Sequence, residues 1–221
     1  MRAPFATTVV GAPLGPESRI WYRAVQTHFL ATALSTRHTR TISSRFSGAT
    51  PASPGYEILY LAENHAIALL EAQALLGSPI TPGGLVPHPH STWTILNVSV
   101  RLQAITELTD EATQELLATT AQEITGDWMG YRLRNPGTTV KWPTGLAPTQ
   151  ELGDALYRVP GLEGFRTLSA KVPYQEVLVV FPQKLREGSR VSWFNPLTRV
   201  TETLALIPRR SKHSPEHSPG T

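Results

Sequence analysis

The 221-residue chain has no cysteine. That absence excludes a disulfide framework, a thiolate metal site and a cysteine nucleophile, and it is compatible with the reducing cytosol. No run approaches the roughly 20 apolar residues that cross a bilayer. No secretory leader is expected, because Thr7, Thr8 and Gly11 interrupt the apolar residues near the start. The expectation is a soluble, cytoplasmic protein. Two catalytic signatures are absent as well. No G-x-G-x-x-G follows a strand-like run, which removes a Rossmann dinucleotide site, and no G-x-S-x-G elbow is present, which removes the usual serine-hydrolase nucleophile. Charge is scarce too. The net charge is +3, and residues 208–221 supply +2 of it through Arg209, Arg210 and Lys212 against Glu216. A nearly neutral body without a basic stripe argues against nucleic-acid binding.

What is plentiful is proline and glycine, and they mark boundaries. Pro4, Gly11, Pro13, Gly15 and Pro16 punctuate residues 1–18 without periodicity, so a flexible arm is expected there. One ordered domain is expected over 19–207, and a disordered Pro-, Ser- and His-rich tail over 208–221. Strands are predicted over 20–25, 58–62, 93–100, 165–169 and 177–181, with a pair within 191–204. Helices are predicted over 27–34, from Asn64 through Leu75, over 110–124 with Gly126 as a stop, and over 150–159. Strands at both ends with helices inserted give a single mixed α+β domain with small β-sheets. Residues 127–148 read as an aromatic loop in which Trp128, Tyr131 or Trp142 could stack on a ring. His88-Pro89-His90 has no third ligand at a matching spacing, so no metal is expected.

The most informative stretch is central. Ile58-Leu59-Tyr60-Leu61-Ala62 is a compact β-favouring run entered from Pro54-Gly55, and Asn64 suits the N-cap of the helix that follows. Ile67, Leu70, Ala74 and Leu75 fall on one helical face. Glu71, four residues after Ile67, lies on that stripe, where an unpaired carboxylate is costly. It needs a partner or a role. Two readings stand: a core-edge glutamate that reaches solvent or pairs with an arginine, and a functional carboxylate. Tyr60 is near in sequence, and Arg23 and Arg45 each have aromatic neighbours; arginine forks bind phosphate bidentately.

Taken in order, Tyr22-Arg23, Arg45-Phe46, Tyr60-Leu61-Ala62, the helical Glu71 and Ser169 in Gly164-Phe165-Arg166-Thr167-Leu168-Ser169 resemble the RES-domain toxins, from about residue 20 to about residue 182. The resemblance implies an ADP-ribosyltransferase-like fold and the toxin half of a bacterial type II toxin–antitoxin pair. It implies NAD as substrate, cleaved at the nicotinamide–ribose bond, and a helix-turn-helix (Xre-type) antitoxin covering the active site. By the same resemblance, NAD is held by Arg23, Arg45, Tyr60, Glu71 and Ser169, with Glu71, Arg45 and Ser169 catalytic. The arginines would clamp phosphate or ribose oxygens and Tyr60 would pack on nicotinamide. Glu71 would stabilise the cationic sugar, as carboxylates do in glycoside hydrolysis, and Ser169 would position by hydrogen bonding. The acceptor stays open between inorganic phosphate, water and a protein side chain, the last making the chain a protein ADP-ribosyltransferase. The chain departs from the family pattern at Ser44, where a glycine often precedes the second arginine, and at Ala24, where an aromatic sometimes follows the first. A competing class is a non-catalytic interaction module in which Glu71 and the arginines form structural ion pairs.

Overall fold

The structure, a computed structural model, describes residues 9–74, 92–133 and 145–206. Seven strands are formed among them: β1 (Gly15–Gln26), β2 (Leu59–Ala62), β3 (Trp93–Glu107), β4 (Gly164–Leu168), β5 (Glu176–Val180), β6 (Arg190–Asn195) and β7 (Val200–Ala205). The ladder runs β1-β2-β5-β4-β3-β6-β7, and an additional pairing of β1 with β3 closes the first five strands into a ring. The β6–β7 hairpin extends from the outside of β3. The domain is mixed α+β, as the element order predicts.

Burial follows from the residue pattern of each strand. In β3, Leu96, Val98, Val100, Leu102 and Ala104 are buried while Asn97, Ser99, Arg101 and Gln103 are exposed, the alternation of a sheet with one wet face. In β5, all of Val177, Leu178, Val179 and Val180 are buried, because both faces are covered. Val177 and Val179 join a core with Phe46, Ile58, Ile67, Leu156, Phe165 and Phe181; Leu178 and Val180 join a second core with Trp21, Leu59, Leu61, Leu96 and Trp193. β2 and β5 therefore form the partition between the two cores. Each fully buried Leu, Val or Phe contributes about 1.5–3 kcal/mol against the entropy of ordering the chain.

Several boundaries differ from the sequence expectation. Strand β1 starts at Gly15, inside the segment expected as an arm, and Val9 is buried in the first core. Residues 27–32 form a 3-10 helix, Thr27–Thr32. The central helix α1 is only His65–Glu71: Asn64 caps it as expected, accepting from the Ile67 N–H, but Gln73 adopts a left-handed φ of 58° and turns the chain away. Ala74 is thus off the helical face. The single helix expected over 110–124 is two, α2 (Glu111–Leu116) and α3 (Ala121–Ile124), with Ala118 at φ 53° between them. Asp110 and Thr120 both act as N-caps, and a capping residue holds its own backbone extended. Where a loop is expected, helix α4 spans Trp128–Leu133, with Asp127 Oδ1 accepting from the Gly130 N–H at 2.9 Å. Helix α5 is Pro148–Arg158. Leu75, His88, His90, Trp142 and the 208–221 tail lie outside the described residues.

Candidate active site

β1 pairs with β3 along nearly all of its length but with β2 at one position, Tyr22 opposite Ala62. Where β1 and β2 part, a cleft of about 550 Å³ opens. Its walls are Tyr22, Arg23 and Ala24 of β1, Tyr60 and Leu61 of β2, and the end of α1 at Glu71 and Ala72. The Ser44–Arg45 turn, the start of α4 and Lys171 complete it. Arg23 spans the gap between the strands. Its Nη1 donates to the Tyr60 carbonyl at 3.2 Å and its Nε to the Ala33 carbonyl at 3.1 Å. Burial pulls its pKa down to about 10, with the Glu202 carboxylate pulling the other way; a desolvated guanidinium gains strongly from any further anion.

The loop carrying Arg45 is polar in sequence, yet it is held on all sides. Ser44 and Ser47 exchange backbone hydrogen bonds of 2.8 and 3.2 Å. Gln150 of α5 accepts from the Ala147 N–H through Oε1 and donates from Nε2 to the Ser44 carbonyl at 2.9 Å. Gly153 lets the loop press onto that helix: a Cβ there would lie 2.1 Å from the Phe46 carbonyl oxygen. Phe46 is fully buried and edge-on to Phe165, with ring centroids 4.9 Å apart. Arg45 is consequently buried, at 5% exposure, its guanidinium carbon 4.8 Å from the Phe46 ring centroid and its Nη1 donating to the Leu168 carbonyl at 3.1 Å. Its Nη2 has no hydrogen-bond partner among the described residues. A buried donor left unpaired costs about 1–3 kcal/mol, which a ligand oxygen would recover. Burial lowers the Arg45 pKa, and the charges of Glu71 and Tyr60 oppose that shift.

Glu71 closes α1 and faces the cleft half-buried. Ser169 Oγ donates to its Oε1 at 2.5 Å while accepting from the Lys171 and Val172 N–H groups at 3.1 and 3.2 Å. Those three bonds occupy the hydroxyl, so Ser169 stands behind the glutamate and fixes its carboxylate plane. Among the described residues no Glu71 oxygen lies within ion-pair distance of an arginine, and the Glu71 charge acts on Arg45 at longer range. The Tyr60 hydroxyl lies 3.0 Å from Ser44 Oγ and accepts from the Phe46 N–H at 3.2 Å. Burial raises its pKa, against the Ser44 hydrogen bond and the Arg45 charge. Its hydroxyl fastens the Arg45 loop, and its side chain lines the cleft.

The five residues predicted from sequence thus gather at one place, four on the cleft wall and Ser169 supporting Glu71. Residues 20–199 match the RES domain. This chain belongs to the RES-domain family. A chain of the crystal structure of the M. tuberculosis MbcT–MbcA toxin–antitoxin complex shares the fold of this RES domain. Its TM-score is 0.61 at 17% identity, over 92% of this chain and 93% of that one. No curated protein sequence matches the chain.

Sequence reasoning missed two residues of this RES domain's site. Ser44, seen as a departure from the family pattern, is the residue that meets the Tyr60 hydroxyl. Gln150 left no sequence signal at all, since its loop partner lies 106 residues away. Asn64 carried a signal for capping only; its Nδ2 also donates to Gln175 Oε1 at 3.0 Å, tying the start of α1 to the loop after Ser169.

Proposed function

We propose that this RES-domain protein cleaves the nicotinamide–ribose bond of NAD in the cytoplasm and is restrained by a helix-turn-helix antitoxin of the Xre type. The observation that most supports this reading is the pairing, in one cleft, of a buried Arg45 donor without a partner among the described residues and a carboxylate oriented by Ser169. The first calls for a ligand anion and the second for a ligand cation. NAD offers both, a diphosphate and a ribose carbon that becomes positive as its glycosidic bond breaks. The cleft volume lies within the range of small-molecule sites.

In this mechanism Arg23 and Arg45 hold the diphosphate or ribose oxygens, and Tyr60 packs against nicotinamide. The bond from ribose C1′ to the pyridinium nitrogen breaks with its electron pair going to nitrogen, which neutralises the leaving ring. Glu71 stabilises the oxocarbenium-like carbon, as an anion placed where charge develops in the transition state. An acceptor oxygen then bonds to C1′. Water gives ADP-ribose and a proton; inorganic phosphate gives the phosphate ester at the same carbon. The fold neighbour's presence in a toxin–antitoxin complex supports a protein partner for this chain.

The test is nicotinamide release from NAD by the purified chain, with and without inorganic phosphate. Release in both conditions identifies hydrolysis, and release that requires phosphate identifies phosphorolysis. Intact NAD in both overturns the proposal.

A further inference from the structure

A carboxylate on the outermost strand reaches the cleft through a single peptide group. Strand β7 ends the ladder, and Glu202 and Leu204 alternate inward along it while Thr201, Thr203 and Ala205 are exposed. Leu204 packs on the second core, as its side chain suits. Glu202 has no apolar reason to turn inward. Its Oε1 accepts from the Leu34 N–H at 3.0 Å, and its Oε2 is buried without a hydrogen-bond partner among the described residues. The Leu34 N–H and the Ala33 carbonyl belong to one peptide group, and that carbonyl accepts from Arg23 Nε at 3.1 Å. Carboxylate, peptide and guanidinium therefore form a hydrogen-bonded chain, in which the anion at one end polarises the peptide and strengthens its carbonyl as an acceptor at the other.

We infer that Glu202 is a positioning residue for Arg23: through the Ala33–Leu34 peptide it fixes the guanidinium plane that meets the anionic oxygens of the substrate. The inference rests on the NAD reading for the identity of that substrate, though not for the linkage itself. Glu202 lies beyond residues 20–199, the span matched to the family. An inward charge on an edge strand can instead serve only to discourage edge-to-edge pairing. That role would leave substrate binding untouched, and the two are separable by experiment.

Glu202→Gln keeps an oxygen to accept from Leu34 and removes the charge. It should raise KM for NAD by about tenfold with kcat nearly unchanged, the pattern of lost ground-state binding. In an Arg23→Lys background, which lacks the Nε–H fork, the same change should add little, because the two act through one chain. An unchanged KM, or an effect of equal size in both backgrounds, overturns the inference. A second readout does not depend on NAD: the ¹⁵N resonance and solvent exchange of the Arg23 Nε–H should shift and quicken in Glu202→Gln, and an unchanged resonance overturns the linkage. If the wild type leaves NAD intact while that resonance shifts, the function reading fails and the linkage stands. Should Glu202→Gln not fold, Glu202→Asp, which keeps the charge but falls a methylene short of Leu34, carries the same two readouts.

Discussion

Glu163 lies fully buried just before β4, where Oε2 accepts from the Gln103 and Ala104 N–H groups at 2.6 and 2.9 Å and Oε1 accepts from the Arg186 N–H at 2.7 Å. Glu71 lies half-buried at the end of α1, where Oε1 has the Ser169 hydroxyl and Oε2 has no hydrogen-bond partner among the described residues. Both carboxylates are at least partly withdrawn from bulk water, yet their oxygens are engaged in opposite ways. Backbone donors from two separate segments converge on Glu163, so its charge is consumed in joining β3 to the turn before β6. At Glu71 one side-chain donor sets the orientation and, among the described residues, an oxygen is left over. Burial alone does not make a carboxylate a candidate for function; an acceptor site facing a cavity does.

The comparison is broken most directly by exchanging charge for amide at each position. Glu71→Gln should lower NAD turnover by about 10²–10³-fold, the scale of losing an electrostatic contact made in the transition state. Its melting temperature should stay within about 3 °C of wild type. Glu163→Gln should do the reverse. One of its oxygens becomes an NH₂ pointed at backbone N–H groups, so about 3–5 kcal/mol of stability is lost, or on the order of 10 °C in melting temperature. The protein that remains folded should turn over NAD at the wild-type rate. A Glu71→Gln protein that melts early while keeping its turnover would end the distinction.

Ser169→Ala sharpens the same contrast with a smaller effect. It removes the donor that orients Glu71 and leaves the Lys171 and Val172 N–H groups without their acceptor. The expected result, read by steady-state kinetics and thermal melting, is a loss of about tenfold in turnover together with about 1–2 kcal/mol of stability. The smallest effect concerns a third carboxylate. Burial raises the Asp154 pKa, against the neighbouring Tyr56 hydroxyl and the Arg158 charge. Folded protein therefore holds a proton that the unfolded chain has released, so stability should fall gently as pH rises from the ordinary aspartate value to the raised one. Asp154→Asn should flatten that slope in melting temperature measured across the acid range.

Much of the candidate site is legible in the sequence because its signals are local. The 58–62 run, the Asn64 cap and the position of Glu71 depend on residues within a few places of one another. The failures involve either distance or competing local signals. Nothing near Glu163 distinguishes it from a surface glutamate, since its donors come from Gln103, Ala104 and Arg186. The burial of the polar Arg45 loop leaves no local signal because Gln150 and Gly153, which cover it, are far along the chain. Over 110–124 the apolar spacing suits one helix, but a second capping residue, Thr120, stands inside the pattern and its preference wins.

The lone Tyr22–Ala62 pair has a mechanical consequence. A closed ring of strands is as stiff as its weakest joint, and here the β1–β3 joint is long while the β1–β2 joint is a single residue pair. Thermal opening should therefore concentrate at that seam, with β1 staying on β3 while β2 swings with β5. The seam borders the cleft, so its breathing widens the mouth without unzipping any other ladder. Amides at the seam should exchange with solvent well before those of β3 or β5, and a ligand bridging Arg23 to Arg45 would act as a rivet across the joint.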